Sequence, residues 1–230
     1  MENKIKLFNK MINKLIELNN ITKPDWKKSL TTTDWRAVLV AEIGEAIDSL
    51  GSDVYWWKNK IPDYENLKVE MVDILHFYLS ILAYNEKSIQ EMLGRNIIAN
   101  FELKKHFDTK KELKSLLVEL ASNIYDYEKF NEYFVRICKV LGIKTFEDLY
   151  KEYMVKNVLN KFRQDNGYKQ GNYKKIWLIV YEKDYGDNLW ETRLEDNYFA
   201  YRFAKEIEAD ENFDENLYKK LQEKYEEIKD

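Results

Sequence analysis

Two short acidic signatures stand close together in the chain, Glu42-Ile43-Gly44-Glu45 and Glu70-Met71-Val72-Asp73. Each sets two carboxylates three residues apart, so on a helix both leave from one face. Both lie in apolar runs: Val38, Leu39, Val40, Ala41, Ile43, Ala46 and Ile47 around the first, and Val69, Met71, Val72, Ile74 and Leu75 around the second. Helices this apolar are largely buried, and a buried carboxylate without a partner is costly. No lysine or arginine occurs three or four residues from these acids on the same face. A bound cation fills that role, and four hard oxygen donors suit magnesium or manganese, not zinc or copper. A single ExxE is more often a solvated helix face; two such pairs in apolar surroundings on consecutive helices point to a metal.

A second constellation lies further on. Val155, Val158, Leu159 and Phe162 form an apolar helical stripe, and Lys156, Asn160 and Arg163 form a polar one beside it. The turn Asp165-Asn166-Gly167 follows, then Tyr168-Lys169 and Tyr173-Lys174-Lys175. A charge run of this kind is usually a solvated face. Asn157 and Asn160 are mediocre helix formers, however, and a mixture of Arg, Lys, Tyr and Asn suits a phosphate chain and a polar base edge. Between the acidic pairs sits Tyr55-Trp56-Trp57-Lys58. Such aromatics either plug a core or line a surface for a flat ligand. His76 follows Asp73 by three residues, and on so apolar a helix it reads as a satisfied core residue behind the ligands.

The elements that must position these groups are mostly helices. The chain has 230 residues with only 7 Gly and 2 Pro, which favours long helices with few tight turns. Apolar residues make up 45%, enough for a substantial core. The net charge of −4 creates no field favouring nucleic acid. The lone Cys138 forms no internal disulfide and fits a reducing compartment. Residues 1–6 lack the apolar stretch of a signal peptide, and no run is long enough to span a membrane. The expected location is cytoplasmic.

Apolar spacing predicts a first helix over 5–20 with Ile5, Phe8, Ile12, Leu15, Ile16 and Asn19 on its stripe. A loop over 22–33 carries Pro24 and Trp26, and Thr33 is the expected N-cap of a helix to Leu50. Asp63 caps the second acidic helix, which runs to about Ala83. Residues 85–112 are polar and predict a short helix with loops. Helices are expected over 112–125, over 128–141 with Gly142 as C-cap, and from a Thr145 cap to Gln164. Apolar alternation from Ile176 predicts a small β-hairpin over 176–194, turning at Tyr185-Gly186-Asp187-Asn188. Glu195-Asp196-Asn197 opens a further helix, and 214–228 reads as a charged, exposed terminal helix. The whole is an all-α helical bundle with a hairpin insertion, read as one catalytic domain over 1–230. Its helical core covers 1–84 and 112–170, a mobile or inserted part covers 85–111, and the hairpin with the last helices covers 176–230.

These residues together resemble a known family. Glu42xxGlu45, the Trp-Trp-Lys element, Glu70xxAsp73-Ile-Leu-His-Phe, and Lys156-Asn-Val-Leu-Asn-Lys-Phe-Arg-Gln-Asp-Asn-Gly-Tyr-Lys169 with Tyr173-Lys-Lys175 closely resemble the dimeric all-α dUTPases. These belong to the all-α nucleotide pyrophosphohydrolases, with the MazG-like proteins as cousins. The acidic pattern is shared across that superfamily, whereas the 156–169 segment is far more specific to the dimeric dUTPase branch. The resemblance implies a homodimer and a site holding two or more magnesium ions, with manganese as the substitute. It implies hydrolysis of dUTP, and of dUDP, to dUMP with release of pyrophosphate or phosphate. Glu42, Glu45, Glu70 and Asp73 would hold the metals, with Glu42 orienting the attacking water. Lys156, Arg163, Tyr168, Lys175 and Asn197 would hold the phosphates. Asn160, Asn19, Trp57 and Phe77 would surround the deoxyuridine base and sugar.

The chain departs from the family pattern in three places. Leu15 and Ile16 stand where a glutamine facing the base is usual, the 51–56 loop is longer, and the hairpin is additional. The first departure predicts looser discrimination of uracil from cytosine, and makes a dCTP or broader deoxynucleoside triphosphate pyrophosphatase the alternative function. Two other classes compete. A dimetal oxygen-chemistry bundle needs two Glu-x-x-His motifs, but His76 and His106 are the only histidines and only Asp73xxHis76 comes near. A non-catalytic helical interaction protein would leave the carboxylates with a structural role only.

Overall fold

The computed structural model describes residues 1–103, 108–183 and 189–229. Ten α-helices and one two-stranded sheet are formed by these residues. The expected all-α architecture with a small hairpin is therefore present. The chain divides into two compact units, Met1–Tyr153 and Met154–Asp230.

The first unit opens with α1, Glu2–Thr22, which buries Ile5, Leu7, Phe8, Met11, Ile12 and Leu15 along one stripe. The expected loop over 22–33 contains a single helical turn, α2, Trp26–Ser29, because Trp26 has a buried site to fill. Its indole donates to Asn20 Oδ1 at 2.8 Å, and its ring meets those of Trp35 and Tyr84 edge-on. The Tyr84 hydroxyl lies 3.0 Å from the Leu30 carbonyl and 3.2 Å from the Trp26 carbonyl, sharing its one hydrogen between them, and accepts from the Trp35 indole. Helix α3, Thr32–Asp48, starts two residues before the expected place. Thr31 is its N-cap, since Thr31 and Asp34 form a reciprocal capping box that Thr33 has no acid to match. Helix α4, Tyr64–Leu82, is capped by Asp63 as expected.

The described residues between 85 and 112 are more regular than their polarity suggests. They hold the 16-residue helix α5, Lys87–Glu102, which packs on α1. Gly94 permits this: a Cβ there would lie 2.4 Å from the Phe8 ring. Helices α6, Leu113–Ser122, and α7, Tyr127–Val140, follow. Helix α7 ends in a Schellman motif at Gly142, with Ile143 N–H bonded to Cys138 O and Gly142 N–H to Lys139 O. Cys138 is fully buried, and that burial pushes its thiol well above the usual range. Thr145 and Asp148 cap α8, Phe146–Asp165. No helix among the described residues is long and apolar enough to cross a membrane.

The second unit is built on Phe162 of α8. Its ring is surrounded by those of Tyr173, Trp177, Tyr218 and Tyr225. Strands β1, Ile176–Lys183, and β2, Leu189–Glu195, pair antiparallel from Ile176↔Glu195 to Lys183↔Leu189, with an irregularity between Ile176 and Leu178. The expected turn at Tyr185–Asn188 lies outside the described residues. Helix α9, Asp196–Ala204, opens after Glu195. The last helix, α10, Phe213–Lys229, is not merely an exposed charged helix: it buries Phe213, Leu217, Leu221 and Tyr225 along one stripe.

The two helical glycines, Gly94 and Gly44, should respond oppositely to alanine. Gly94→Ala forces a methyl into the Phe8 ring and should cost about 1–3 kcal/mol of overpacking. Gly44 has no atom within 4 Å of a built Cβ, so Gly44→Ala should gain about 0.5–1 kcal/mol of helix stability. Urea unfolding of both variants checks the pair of signs.

Candidate active site

Helices α3 and α4 are joined by the 49–63 segment, and three contacts fix how they meet. Gly51 has φ +53, and a Cβ there would lie 2.2 Å from Lys60 O, so only glycine closes this turn. The amide of Ser52 donates to that same carbonyl at 2.7 Å. The amide of Asp63 donates to Ser49 O at 2.8 Å, so the start of α4 is tied to the end of α3. Further along, Trp35 of α3 meets Phe77 of α4, with ring centroids 6.0 Å apart. The two helices therefore run antiparallel, and Glu42 and Glu45 come opposite Glu70.

Oxygens of Glu42, Glu45 and Glu70 lie within 4.8 Å of one another. Glu70 is buried, Glu42 half-buried and Glu45 exposed, so the cluster is open on one side. Asp73 lies one turn beyond Glu70, half-buried, and is not part of that group. Two unit charges about 4 Å apart repel by about 1 kcal/mol in water and about 4 kcal/mol near a protein surface. A divalent cation among the three oxygens turns that repulsion into attraction, so the donor set fits a hard cation.

Around the carboxylates is a cleft of about 350 Å³, lined by Gly44, Glu45, Asp48, Lys60, Asn66 and Glu70 among others. Asn66 Nδ2 donates to Glu70 Oε1 at 3.0 Å and to Ser49 Oγ at 2.8 Å. Ser49 Oγ in turn donates to the Glu45 carbonyl at 3.1 Å. Asn66 thus aims one carboxylate and ties it to the helix carrying another. Lys60 Nζ donates to the Asp48 carbonyl at 2.9 Å and also bonds the Asp48 carboxylate, which holds that carboxyl below the usual range. None of these neighbours was singled out from the sequence. Asn66 was findable, being four residues before Glu70 on one helix. Lys60 and Asp48 meet only through the loop and leave no periodic signal.

The residues expected around the base are partly brought together. Glu70, Asp73, Phe77 and Ser80 follow one face of α4. Asn19 of α1 donates to Ser80 Oγ at 3.2 Å, which brings it to that face. Trp57 is 62% and Trp56 83% exposed, so the aromatic loop is not a core plug. Trp57 meets the rings of Tyr55 and Trp56, and no ring contact joins it to Phe77 among the described residues. His76 is buried and its ring meets Tyr153 edge-on.

The residues expected at the phosphates belong to the second unit. Lys156 and Asn160 are half-buried on α8. Arg163 is bound side-on by Asp196, with Nε at 2.7 Å and Nη2 at 2.8 Å from its oxygens. Burial alone lowers the Arg163 pKa, but the hydrogen bonds and charge of Asp196 more than reverse this and the net shift is upward. Tyr168 is half-exposed, and its amide donates to the Arg163 carbonyl at 2.9 Å. Lys175 pairs with Glu195 at 2.9 Å. Asn197 is exposed, with its side-chain oxygen accepting from the Tyr198 amide. Asn157, which the sequence marked only as a poor helix former, is buried with Nδ2 lacking a partner among the described residues.

The class that follows from fold and site is an all-α protein with a carboxylate cluster that could hold a metal ion. The sequence model of the dUTPase family matches residues 6–168, and the chain belongs to that family. Membership makes it a dUTP diphosphatase, a nucleotide-hydrolysing enzyme. No curated protein matches the chain. The matched span contains the four acids, Asn19, Trp57, Phe77, Lys156, Asn160, Arg163 and Tyr168; Lys175, the hairpin, Asn197 and the last two helices lie beyond it.

Metal affinity should rank the acids by their place in the cluster. Calorimetric titration with manganese should show a larger loss for Glu70→Gln than for Asp73→Asn. Asn66→Ala, which removes only the hydrogen bond aiming Glu70, should cost about 10-fold to 100-fold. Equal affinity in all three variants would remove the cluster from metal binding.

Proposed function

We propose that the enzyme hydrolyses dUTP, and dUDP, to dUMP, releasing pyrophosphate from the one and phosphate from the other. The observation that carries this reading is the convergence of Glu42, Glu45 and Glu70 within 4.8 Å in a chain of the dUTPase family. Bound among these oxygens with Asp73, two or more magnesium or manganese ions would screen the phosphate charge and supply a hydroxide nucleophile. Glu42 orients the attacking water and takes its proton. Glu70, held by Asn66, keeps a fixed direction, so little reorganisation is needed at the moment of reaction. The water oxygen bonds to one of the two phosphorus atoms that flank the α–β bridging oxygen; that atom's bond to the bridging oxygen breaks, and the bridging oxygen leaves with the electron pair on the other fragment.

Phosphate roles for Lys156, Arg163 and Tyr168 are supported by their place within the span that matches the dUTPase family and, for Arg163, by a guanidinium fixed in place; those of Lys175 and Asn197, beyond that span, rest on the resemblance of the sequence alone. Asn160 offers an amide that donates and accepts at once, matching the O4/N3–H edge of uracil. Phe77, on the face of α4 that carries the acids, and Asn19 of α1, bonded to Ser80 on that face, support a base position there, and Trp57 supplies an exposed stacking surface. A homodimer acting in the reducing cytoplasm completes the reading; the single buried Cys138 supports that setting.

One observation favours a broader base choice. Leu15 is buried in the core of the first unit, and Ile16 is half-buried, so neither offers the polar contact a glutamine would. Loss of one such contact weakens discrimination by about 1–3 kcal/mol. Specificity constants for dUTP, dCTP and dTTP with magnesium, followed by product identification, test both readings. The expected order is dUTP, then dCTP, then dTTP, with pyrophosphate as co-product. Orthophosphate from dUTP would overturn the reaction class, and dTTP as best substrate would overturn the pocket.

A further inference from the structure

Asp196 is a heavily engaged acid of the second unit. It is wholly buried, and its oxygens accept four hydrogen bonds: two from Arg163, one from the Tyr173 hydroxyl at 2.8 Å and one from the Asn197 amide at 2.8 Å. Its own amide donates to the Lys175 carbonyl at 2.9 Å. Three stretches of chain thus converge on one carboxylate: α8, the 173–175 segment and the start of α9.

The geometry of the grip leaves part of Arg163 unused. A guanidinium carries five N–H donors, and Asp196 engages one on Nε and one on Nη2. Among the described residues Nη1 donates to none, and the side chain keeps 18% of its surface exposed. A cation held from one edge, with its other edge open, is preorganised for an oxyanion. Tyr168 places an exposed ring beside the same turn.

We propose that Asp196 is a positioning residue: by gripping the Nε side of Arg163 it presents the Nη1 edge as a receptor for a phosphate oxygen. The identity of that phosphate as the substrate's chain rests on the proposed function, but the receptor does not. The rival reading is a staple that only holds the second unit together, since removing one partner of a buried ion pair is destabilising in any case.

The test is calorimetric titration of the magnesium-loaded enzyme with inorganic pyrophosphate, which involves no nucleotide turnover. Arg163→Gln and Asp196→Asn should each weaken binding roughly 10-fold or more, the loss of a charge-assisted hydrogen bond. The double variant should be no worse than the weaker single. Tyr173→Phe, which removes one hydrogen bond to Asp196 and leaves the ion pair, should give a smaller loss and carries the test if Asp196→Asn fails to fold. The same variants should raise KM for dUTP more than they lower kcat. Unchanged pyrophosphate affinity in folded Arg163→Gln and Tyr173→Phe, with only a lowered Tm, would overturn the proposal. Arg163-dependent pyrophosphate binding in an enzyme that spares dUTP would instead keep the receptor and remove the proposed substrate.

Discussion

Like charge forced together is the constraint on which the first unit depends. Glu42 and Glu45 leave α3, Glu70 leaves α4, and their oxygens come within 4.8 Å because the helices beneath them have no freedom to separate. Leu39, Ile43 and Ala46 on one helix, and Leu67, Met71 and Ile74 on the other, are buried. Each of these except Ala46, which contributes less, adds about 1.5–3 kcal/mol by leaving water. That total at least matches the repulsion among the three acids, so the apolar faces decide the geometry and the charges accept it. Gly51 and the Ser49–Asp63 bond hold the register, and Asn66 fixes the aim of Glu70.

The second unit solves a different problem. Beside buried aliphatic residues such as Val155, Leu159, Leu217 and Leu221, its core holds a group of rings around Phe162. Rings pack edge-on over larger distances than aliphatic side chains and carry hydroxyls that need partners. Tyr173 finds Asp196, and Tyr218 finds Asp165 at 2.8 Å. These contacts raise both phenols, Tyr218 to about 12, with burial as the leading cause and the neighbouring carboxylates adding to it. The unit therefore combines its apolar core with a buried polar network.

Much of this was legible in the residues. The helices of the first unit follow from apolar spacing, and the Asp63, Thr145 and Gly142 signals end them where the structure does. The acidic pairs were visible because a carboxylate in an apolar helix needs a reason. What escaped was whatever depends on tertiary partners. Helix α5 looked weakly patterned because its burial hinges on Gly94 letting Phe8 approach, and no local rule foretells that. The turn at Trp26 exists because Tyr84, far along the chain, collects its carbonyls. Asp196 looked like one acid in a helix start, and its burial against Arg163 joins positions that no helical period relates.

The enclosed Cys138 has a practical corollary. It is the chain's single sulfhydryl, it lies within α7 with no exposed surface, and its ionisation is suppressed by that burial. Because the thiolate is the species that alkylates and oxidises, the native protein should be silent toward maleimides and disulfide reagents. A cysteine introduced on the exposed Trp56–Trp57 loop, or on the outer face of β2, would be a single-site spectroscopic handle without first deleting the natural one.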